Sequence, residues 1–454
     1  MITQTLTIAR TTLIEAVRQP VLLVMILIGG VLQVFNTWST GFAMGMEETG
    51  EVVGDNKLLL DLGLATVFVL GAILAGILAT TVISREIENK TVLTIVSKPV
   101  PRPVLIFGKY LGVAVAILGA MAIMLLYLLF SIRHGVMTTV SDQLDQPVIV
   151  LAVGSAFLAL ALGGWCNYFY GWNFPQTSTL LLLPFTFIAY VAALFIGKEW
   201  KFQPLLTDFK PQVTVACLCL MMAVMVLVAV AVAASTRLGR VMTIVICFGV
   251  FVLSLFSNYL LGRHVFNNQL LGTILVTLPD DPEKTDFRSA GSSYLVRLQL
   301  APKLPLPPGT AFYYSPSPSG FPMLGTKRYE SYTGDLSNVG TLMSANVPSS
   351  IIVTESKPPY QVLKVRNISE NPVPILRPPA QGDYVFQRYT EINPIALAAW
   401  GAVPNLQFYW LLDAVSQNRA VSLSYFGAAF AYALVQIGVF LSLAIMLFQK
   451  RDVG

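Results

Sequence analysis

The chain has 454 residues, 55% of them hydrophobic and only 12% charged, where soluble proteins carry about 25% charged residues. One soluble core of this length could not hide so much apolar surface, so the composition excludes a soluble globular protein and points to an integral membrane protein. A net charge of +5 is too small to argue for a nucleic-acid partner and is better explained by membrane topology.

Eight apolar runs have the length of a membrane span: 20–37, 58–83, 104–131, 147–165, 178–197, 212–235, 240–261 and 424–447. The first lacks a small-residue cleavage site and reads as a retained span, not a signal peptide. The fourth and fifth, split by CNYFYGWNFPQ, fit either two full crossings or a re-entrant pair. With a cytosolic amino terminus, the inner loops collect Arg10, Arg18, Arg85, Lys90, Lys98, Arg102, Lys109, Arg237, Arg240, Lys450 and Arg451. The short outer loops then hold few basic residues and several acids, so the bias places both termini in the cytosol of a cell whose inner membrane the chain crosses. Cys166, Cys217, Cys219 and Cys247 lie in or beside apolar runs and form no disulfide or zinc pattern.

Three segments follow from this order: a transmembrane segment over residues 1–262, an extracytoplasmic segment over 263–420, and a last span with its cytosolic tail, 421–454. In the middle segment apolar runs shorten and prolines multiply. Ser293–Leu300, Ser350–Glu355, Tyr360–Asn367 and Val373–Leu376 read as strands between turn signals, which predicts a mostly β, sandwich-like domain. The proline-rich stretch APKLPLPPGTAFYYSPSPSGFP reads as an irregular surface loop. Asn393–Gly401 and Leu406–Ser416, apolar and aromatic but too short to cross, read as interfacial helices. The sequon Asn367-Ile-Ser369 faces outward in this topology.

Between the second and third spans lies Ser84–Lys109, SREIENKTVLTIVSKPVPRPVLIFGK, far more charged than a simple turn requires. Ile83 and Ile87 continue the stripe of the second span, whereas Val92, Leu93 and Val96 form another stripe out of phase with it. The mismatch predicts a bend near Asn89–Lys90, with Asn89 capping a short amphipathic helix. Pro99 ends that helix, because the residue before a proline is pushed out of the α region. Pro103 suits the first turn of the next span.

This stretch resembles the signature of ABC-2 type transporter permeases, in which a charged R-E-x-E-x-x-T precedes a hydrophobic helix, a proline, a basic residue and G-K opening the next span. The entry segment TIARTTLIEAVRQPVLL, the turn STRLGR at Ser235–Arg240 and the closing FLSLAIMLFQKRDVG are similar to the corresponding regions of that family. Taken with the spans and strands above, the resemblance gives an all-α polytopic membrane domain of about eight spans, ABC-2/type V exporter-like, with an inserted mostly β extracytoplasmic domain; the extra spans and that domain depart from the family's six-span minimum. It implies a permease subunit similar to the nitrous-oxide reductase maturation branch, paired with a cytosolic ABC ATPase subunit. It further implies a homodimer or a pairing with a second permease. The coupling helix would lie within 84–100, with Arg85, Glu86, Glu88, Lys90 and Thr91 at the motif positions and Val92, Leu93 and Val96 as its buried surface.

No phosphate loop exists to bind ATP here: Gly320–Lys327 has the wrong terminal order. ATP and magnesium would therefore be held by the partner ATPase, and this chain is expected to carry no cofactor and no enzyme activity. His134 and His264 are isolated, each beside a basic residue at a span end, and read as solvated interfacial histidines. Ionisable residues inside the spans are confined to Asp61 and Lys109 near their ends, which argues against a proton pathway. Glycines 71, 76, 108, 112 and 119 suit generic helix packing. An alternative to transport is a membrane anchor that transmits conformational work to an extracytoplasmic domain, 263–420, bound to a periplasmic partner.

Overall fold

A computed structural model divides into two compact units, Met1–Leu255 with Pro404–Gly454, and Phe256–Val403. The composition-based boundaries lie at 262 and 420. The structure describes residues 2–40, 51–84, 101–136, 144–281, 287–289, 291–302, 304–325, 329–342, 350–368, 375–411, 415 and 421–449.

The first unit is helical: α1 Ile2–Val17, α2 Pro20–Thr40, α3 Glu51–Ala79, α4 Arg102–His134, α5 Gln146–Tyr170, α6 Phe174–Phe195, α7 Pro211–Ser235, α8 Arg240–Leu255 and, last in the chain, α12 Leu423–Gln449. Prolines open α4, α5, α6 and α7, where a missing N–H costs nothing and the fixed φ suits the first turn. Asp145 caps α5 by accepting from the Val148 amide at 3.3 Å, and Asn173 caps α6 by accepting from the Gln176 amide at 3.1 Å. Seven of these helices are long and apolar enough to cross a membrane, and the broken pair Val241–Leu255 and Ser257–His264 makes eight if counted as one span. The two runs that sequence left open are unbroken helices of 25 and 22 residues joined at Gly171–Asn173. At 1.5 Å per residue each is over 30 Å long, enough to cross the hydrocarbon.

α7 forms the centre of this unit, with 78% of its span buried, and α3 and α4 flank it at 61%. α5 and α12 are only 22% buried, so most of their apolar surface faces outward, as lipid-facing helices do. Apolar lipid gives helices no hydrophobic reason to associate, so packing and polar contacts must hold them. Both are present. Gln33 and Asn36 on α2 are buried and donate to the carbonyls of Gly63 and Leu59 on α3, each at 3.0 Å. Near the other helix ends, buried Arg133 pairs with Asp145, lies 2.8 Å from Asp208 and donates to the Ile196 carbonyl at 2.8 Å. That network ties the end of α4 to the start of α5 and to the loop after α6.

Leu406–Tyr409, expected as part of an interfacial helix, is a short 3₁₀ turn whose Leu406 and Tyr409 are buried in the core of the helical unit. Its backbone is held there by Asn405, whose amide donates to the Tyr432 hydroxyl at 3.0 Å.

The second unit contains the short helices α9 Ser257–Leu260, α10 Val339–Leu342 and α11 Pro394–Ala402. Its strands are β1 Phe266–Asn267, β2 Leu270–Pro279, β3 Ser293–Leu298, β4 Tyr313–Ser315, β5 Ser350–Ser356, β6 Val362–Ile368, β7 Tyr384–Phe386 and β8 Glu391–Ile392. Six of them form one antiparallel sheet in the order β4-β7-β2-β3-β6-β5, and β1 pairs with β8. A two-sheet sandwich is therefore corrected to a single curled sheet. Its two ends meet: the amides of Gly309 and Phe312 donate to Val353 and Ile351, each at 2.7 Å, and Val353 donates to Thr310 at 2.9 Å. Register shifts at Ile274/Val276, Leu270/Gly272 and Val353/Glu355 supply the curvature that closure needs.

The proline-rich stretch read as a loop is thus the closing segment. It carries β4 and the buried Phe312 and Tyr314, whose hydroxyl donates to the Arg377 carbonyl at 2.5 Å. Inside the curl sit Val296, Leu298, Phe312, Ile351, Val353, Leu363, Val365 and Phe386, all fully buried. The run Val373–Leu376, expected as a strand, lies partly outside the described residues, and its described end, Ile375 and Leu376, is in no strand. Asn367 of the sequon is fully buried, and its side-chain amide donates to the Phe287 and Arg288 carbonyls at 3.1 and 2.9 Å.

Candidate coupling site

Arg85, Glu86, Glu88, Lys90, Thr91, Val92, Leu93 and Val96, with the bend at Asn89–Lys90 and the stop at Pro99, lie outside the described residues. What the structure describes is the frame on which that segment is mounted. On its upstream side α3 passes without a break into a π-helical turn, Thr80–Ser84. Thr80 and Thr81 return hydroxyl hydrogen bonds to Ile77 and Leu78 at 2.8 and 3.1 Å. Such back-bonding competes with the regular ladder, and π turns recur at functional positions. On its downstream side Pro101 stands extended before α4, with Pro103 in the first turn.

Lys109 links the two sides. It is buried, and its Nζ donates to the Val82 carbonyl at 3.4 Å. A buried ammonium must find oxygen partners, and the loosened carbonyls of a π turn provide one. The G-K pair of the motif therefore has two separate structural duties. Lys109 holds the end of α3, and Gly108 lets α1 come close: a Cβ there would stand 2.9 Å from Ile8 Cβ and 3.0 Å from the Thr5 carbonyl. Gly112, one turn on, is tighter, since a Cβ would meet Thr12 Cβ at 2.5 Å and the Ala9 carbonyl at 2.6 Å. The amphipathic entry helix thus lies directly on the root of α4.

Basic residues elsewhere gather at this same end. Arg102 donates to the Gln449 carbonyl at 2.9 Å and sits 5.9 Å from the centre of the Phe448 ring. Arg237, from the STRLGR turn, donates to the Leu447 carbonyl at 2.8 Å. Two guanidinium groups thereby cap the carboxyl end of α12, where orphan carbonyls and the helix dipole favour positive charge. Arg18 reaches Gln176 at the start of α6 at 2.9 Å. Cytosolic-type basic residues far apart in sequence therefore share one end of the helical unit, while Arg133, Asp145 and Asp208 hold the other.

The glycines are not equivalent. Gly71 and Gly76 stand against Val224 and Ile244, but nothing lies within 4 Å of a Cβ at Gly119. His134 and His264 remain single: Nδ1 of one faces the Gly135 carbonyl at 3.0 Å, and Nε2 of the other accepts from Arg263 at 3.1 Å. Among the described residues no group of three or more His, Cys, Asp or Glu is placed to hold a metal. Sequence reasoning passed over Gln33 and Asn36, although two amides three residues apart inside an apolar run were a visible signal of an inter-helix contact.

These features define a polytopic membrane protein in which a charged segment joins two spans whose ends are packed together, and a curled antiparallel domain is inserted in the sequence before the last span. Residues 6–165 match the family model described as ABC-2 family transporter protein, a stretch that contains most of α1, the packed helix ends and the whole charged segment. Over that stretch, 160 of the 454 residues, the chain is similar to ABC-2 family membrane proteins, the permease type of subunit in ABC transporters. The match carries the likeness to the family and not a branch within it. No curated protein and no solved structure matches the chain.

Proposed function

We propose that this permease couples ATP hydrolysis in a separate cytosolic ABC ATPase to movement of a substrate across the inner membrane, working as a dimer with itself or with a second permease. The observation that carries this reading is the packing of the two helix ends that flank the charged segment, Lys109 on Val82 and α1 on Gly108 and Gly112. A segment so held passes a push from its partner into α3 and α4 together; a slack loop would absorb it. Glu86 and Glu88 then pair with partner arginines, Arg85, Lys90 and Thr91 complete the polar contact, and Val92, Leu93 and Val96 fill an apolar cleft. ATP and magnesium stay in the ATPase. Both termini and 85–100 lie in the cytosol, and the curled domain meets a periplasmic partner; the clustering of Arg18, Arg102 and Arg237 at one end supports this orientation.

The test is charge reversal. Glu86→Lys with Glu88→Lys should cut co-purification of the cognate ATPase and abolish permease-stimulated ATP hydrolysis, while the melting temperature of the permease stays unchanged. Undiminished association and stimulation would overturn the docking role.

A further inference from the structure

Away from the basic end, the helical unit contains a cavity of about 400 Å³ between α2, α4 and α5. Its walls are Gly30 and Val34 of α2, Tyr127 and Phe130 of α4, and Val148 and Ala152 of α5. From Gly30 to Trp38 it runs eight residues along α2, about 12 Å at the helical rise, close to the ~15 Å depth of one hydrocarbon leaflet. Val34 and Val153 line it and are 58% and 59% exposed on the outer surface of the unit, so the cavity opens sideways where lipid chains lie.

One end differs from the walls. Thr37, Ser131 and His134 line it there. The Thr37 hydroxyl donates to the Gln33 carbonyl at 2.9 Å, and the Ser131 hydroxyl donates to the Tyr127 carbonyl at 3.1 Å. The His134 Nδ1 lies 3.0 Å from the Gly135 carbonyl, an oxygen that can only accept, so Nδ1 is the donor in that contact. The Thr37 and Ser131 hydroxyls have each spent their donor on backbone and offer a lone pair. The nearby guanidinium of Arg133 is taken up by Asp145 and Asp208. Among the described residues, the rim hydroxyls therefore accept hydrogen bonds, and no lysine or arginine lines the cavity.

The geometry points to a binding site for a single-tailed amphiphile, its hydrocarbon chain between α2, α4 and α5 and a neutral, hydroxyl-bearing head at Thr37, Ser131 and His134. A carboxylate or phosphate head would bring acceptors to the acceptor hydroxyls and bury a charge with no lysine or arginine in the lining to pair with it. This names the substrate class of the proposed permease, and only the claim that the occupant is moved rests on that reading; occupancy does not.

The test uses the full chain alone in phosphatidylcholine nanodiscs, with a monoacylglycerol bearing a diazirine in its acyl chain and the matching diazirine fatty acid. Peptide mapping should find saturable labelling on 127–134 and 148–153 by the monoacylglycerol, several-fold above the fatty acid. Ala152→Phe fills the cavity and should lower labelling about tenfold, as should Gly30→Leu, whose Cβ has the Tyr127 ring as its nearest neighbour at 3.5 Å. Val439→Phe, on the exposed face of α12, should change nothing. Labelling spread equally over α12, preference for the fatty acid, or indifference to both filling variants in chains that melt normally would overturn the site. Lipid retained through purification identifies a resident bilayer molecule, and saturable labelling without retained lipid identifies a transient one; both support the site. Failure of ATPase association with labelling intact would remove the permease coupling and leave the site standing.

Discussion

At the scale of single residues, the two members of the G-K pair serve unlike ends, and a neighbour repeats one of them. Gly112 sits where α1 crosses α4 most closely, so any side chain must push the helices apart. Gly112→Leu should destabilise the helical unit by about 1–3 kcal/mol through overpacking. Gly119→Leu, with nothing within 4 Å of its Cβ, should be neutral. Thermal unfolding in detergent compares the two, and equal melting temperatures would deny that α1 rests on Gly112. From sequence these glycines looked alike, because a glycine in an apolar helix reports permission for close approach and not whether a neighbour uses it. Lys109 was legible as an ionisable residue near a span end; its bond to Val82 was not, since no periodicity relates positions 27 residues apart.

At the scale of elements, the long helices follow from apolar length and from prolines and caps at their starts, all local properties. The strands divide differently. β3, β5 and β6 have alternating or β-branched runs and lie close to where patterning puts them. β4 hides among prolines because its role is set by partners on both sides of the closure, not by its own residues. The curled sheet also carries a pH dependence. Asp280 accepts from the Ser293 hydroxyl at 2.8 Å and pairs with Lys364 at 3.0 Å, which holds its carboxyl below the usual carboxylate range. A lowered folded pKa stabilises the fold above the unfolded value, near 3.9, and that contribution is lost as pH falls through the folded value. The melting-temperature difference between the protein and Asp280→Asn should therefore be full near neutral pH and fall away only below about pH 4, as the folded carboxyl is protonated. The carboxyl is 42% exposed, so solvent screening keeps the effect small. A difference that grows on acidification would contradict the assignment.

At the scale of the whole molecule, the helical unit has a basic end and an end held by a buried ion-pair network. The charge bias of the sequence and the spatial clustering of Arg18, Arg102 and Arg237 are separate observations that agree. Single cysteines introduced as Lys90→Cys and Glu330→Cys in an otherwise cysteine-free chain should react with an impermeant maleimide from opposite sides of sealed vesicles. Reaction of both from one side would refute the proposed topology. The eighth span depends on whether Val241–Leu255 and Ser257–His264 cross as one broken helix, and the same labelling scheme at Arg263 reads that directly.

Sequence by itself determined that the chain lives in a membrane, how many spans it has to within one, which end is basic, and where a charged segment interrupts the spans. Those are matters of composition and local period, and each residue contributes to them independently of its distant neighbours. Tertiary structure decided which glycines are contact points, how Lys109 and two arginines brace the roots of that segment and the last helix, that the inserted sheet closes on itself, and that an apolar cavity with a hydroxyl-bearing rim opens between α2, α4 and α5. Those depend on positions brought together across tens to hundreds of residues, where packing distances and hydrogen-bond partners, not local preference, settle the outcome.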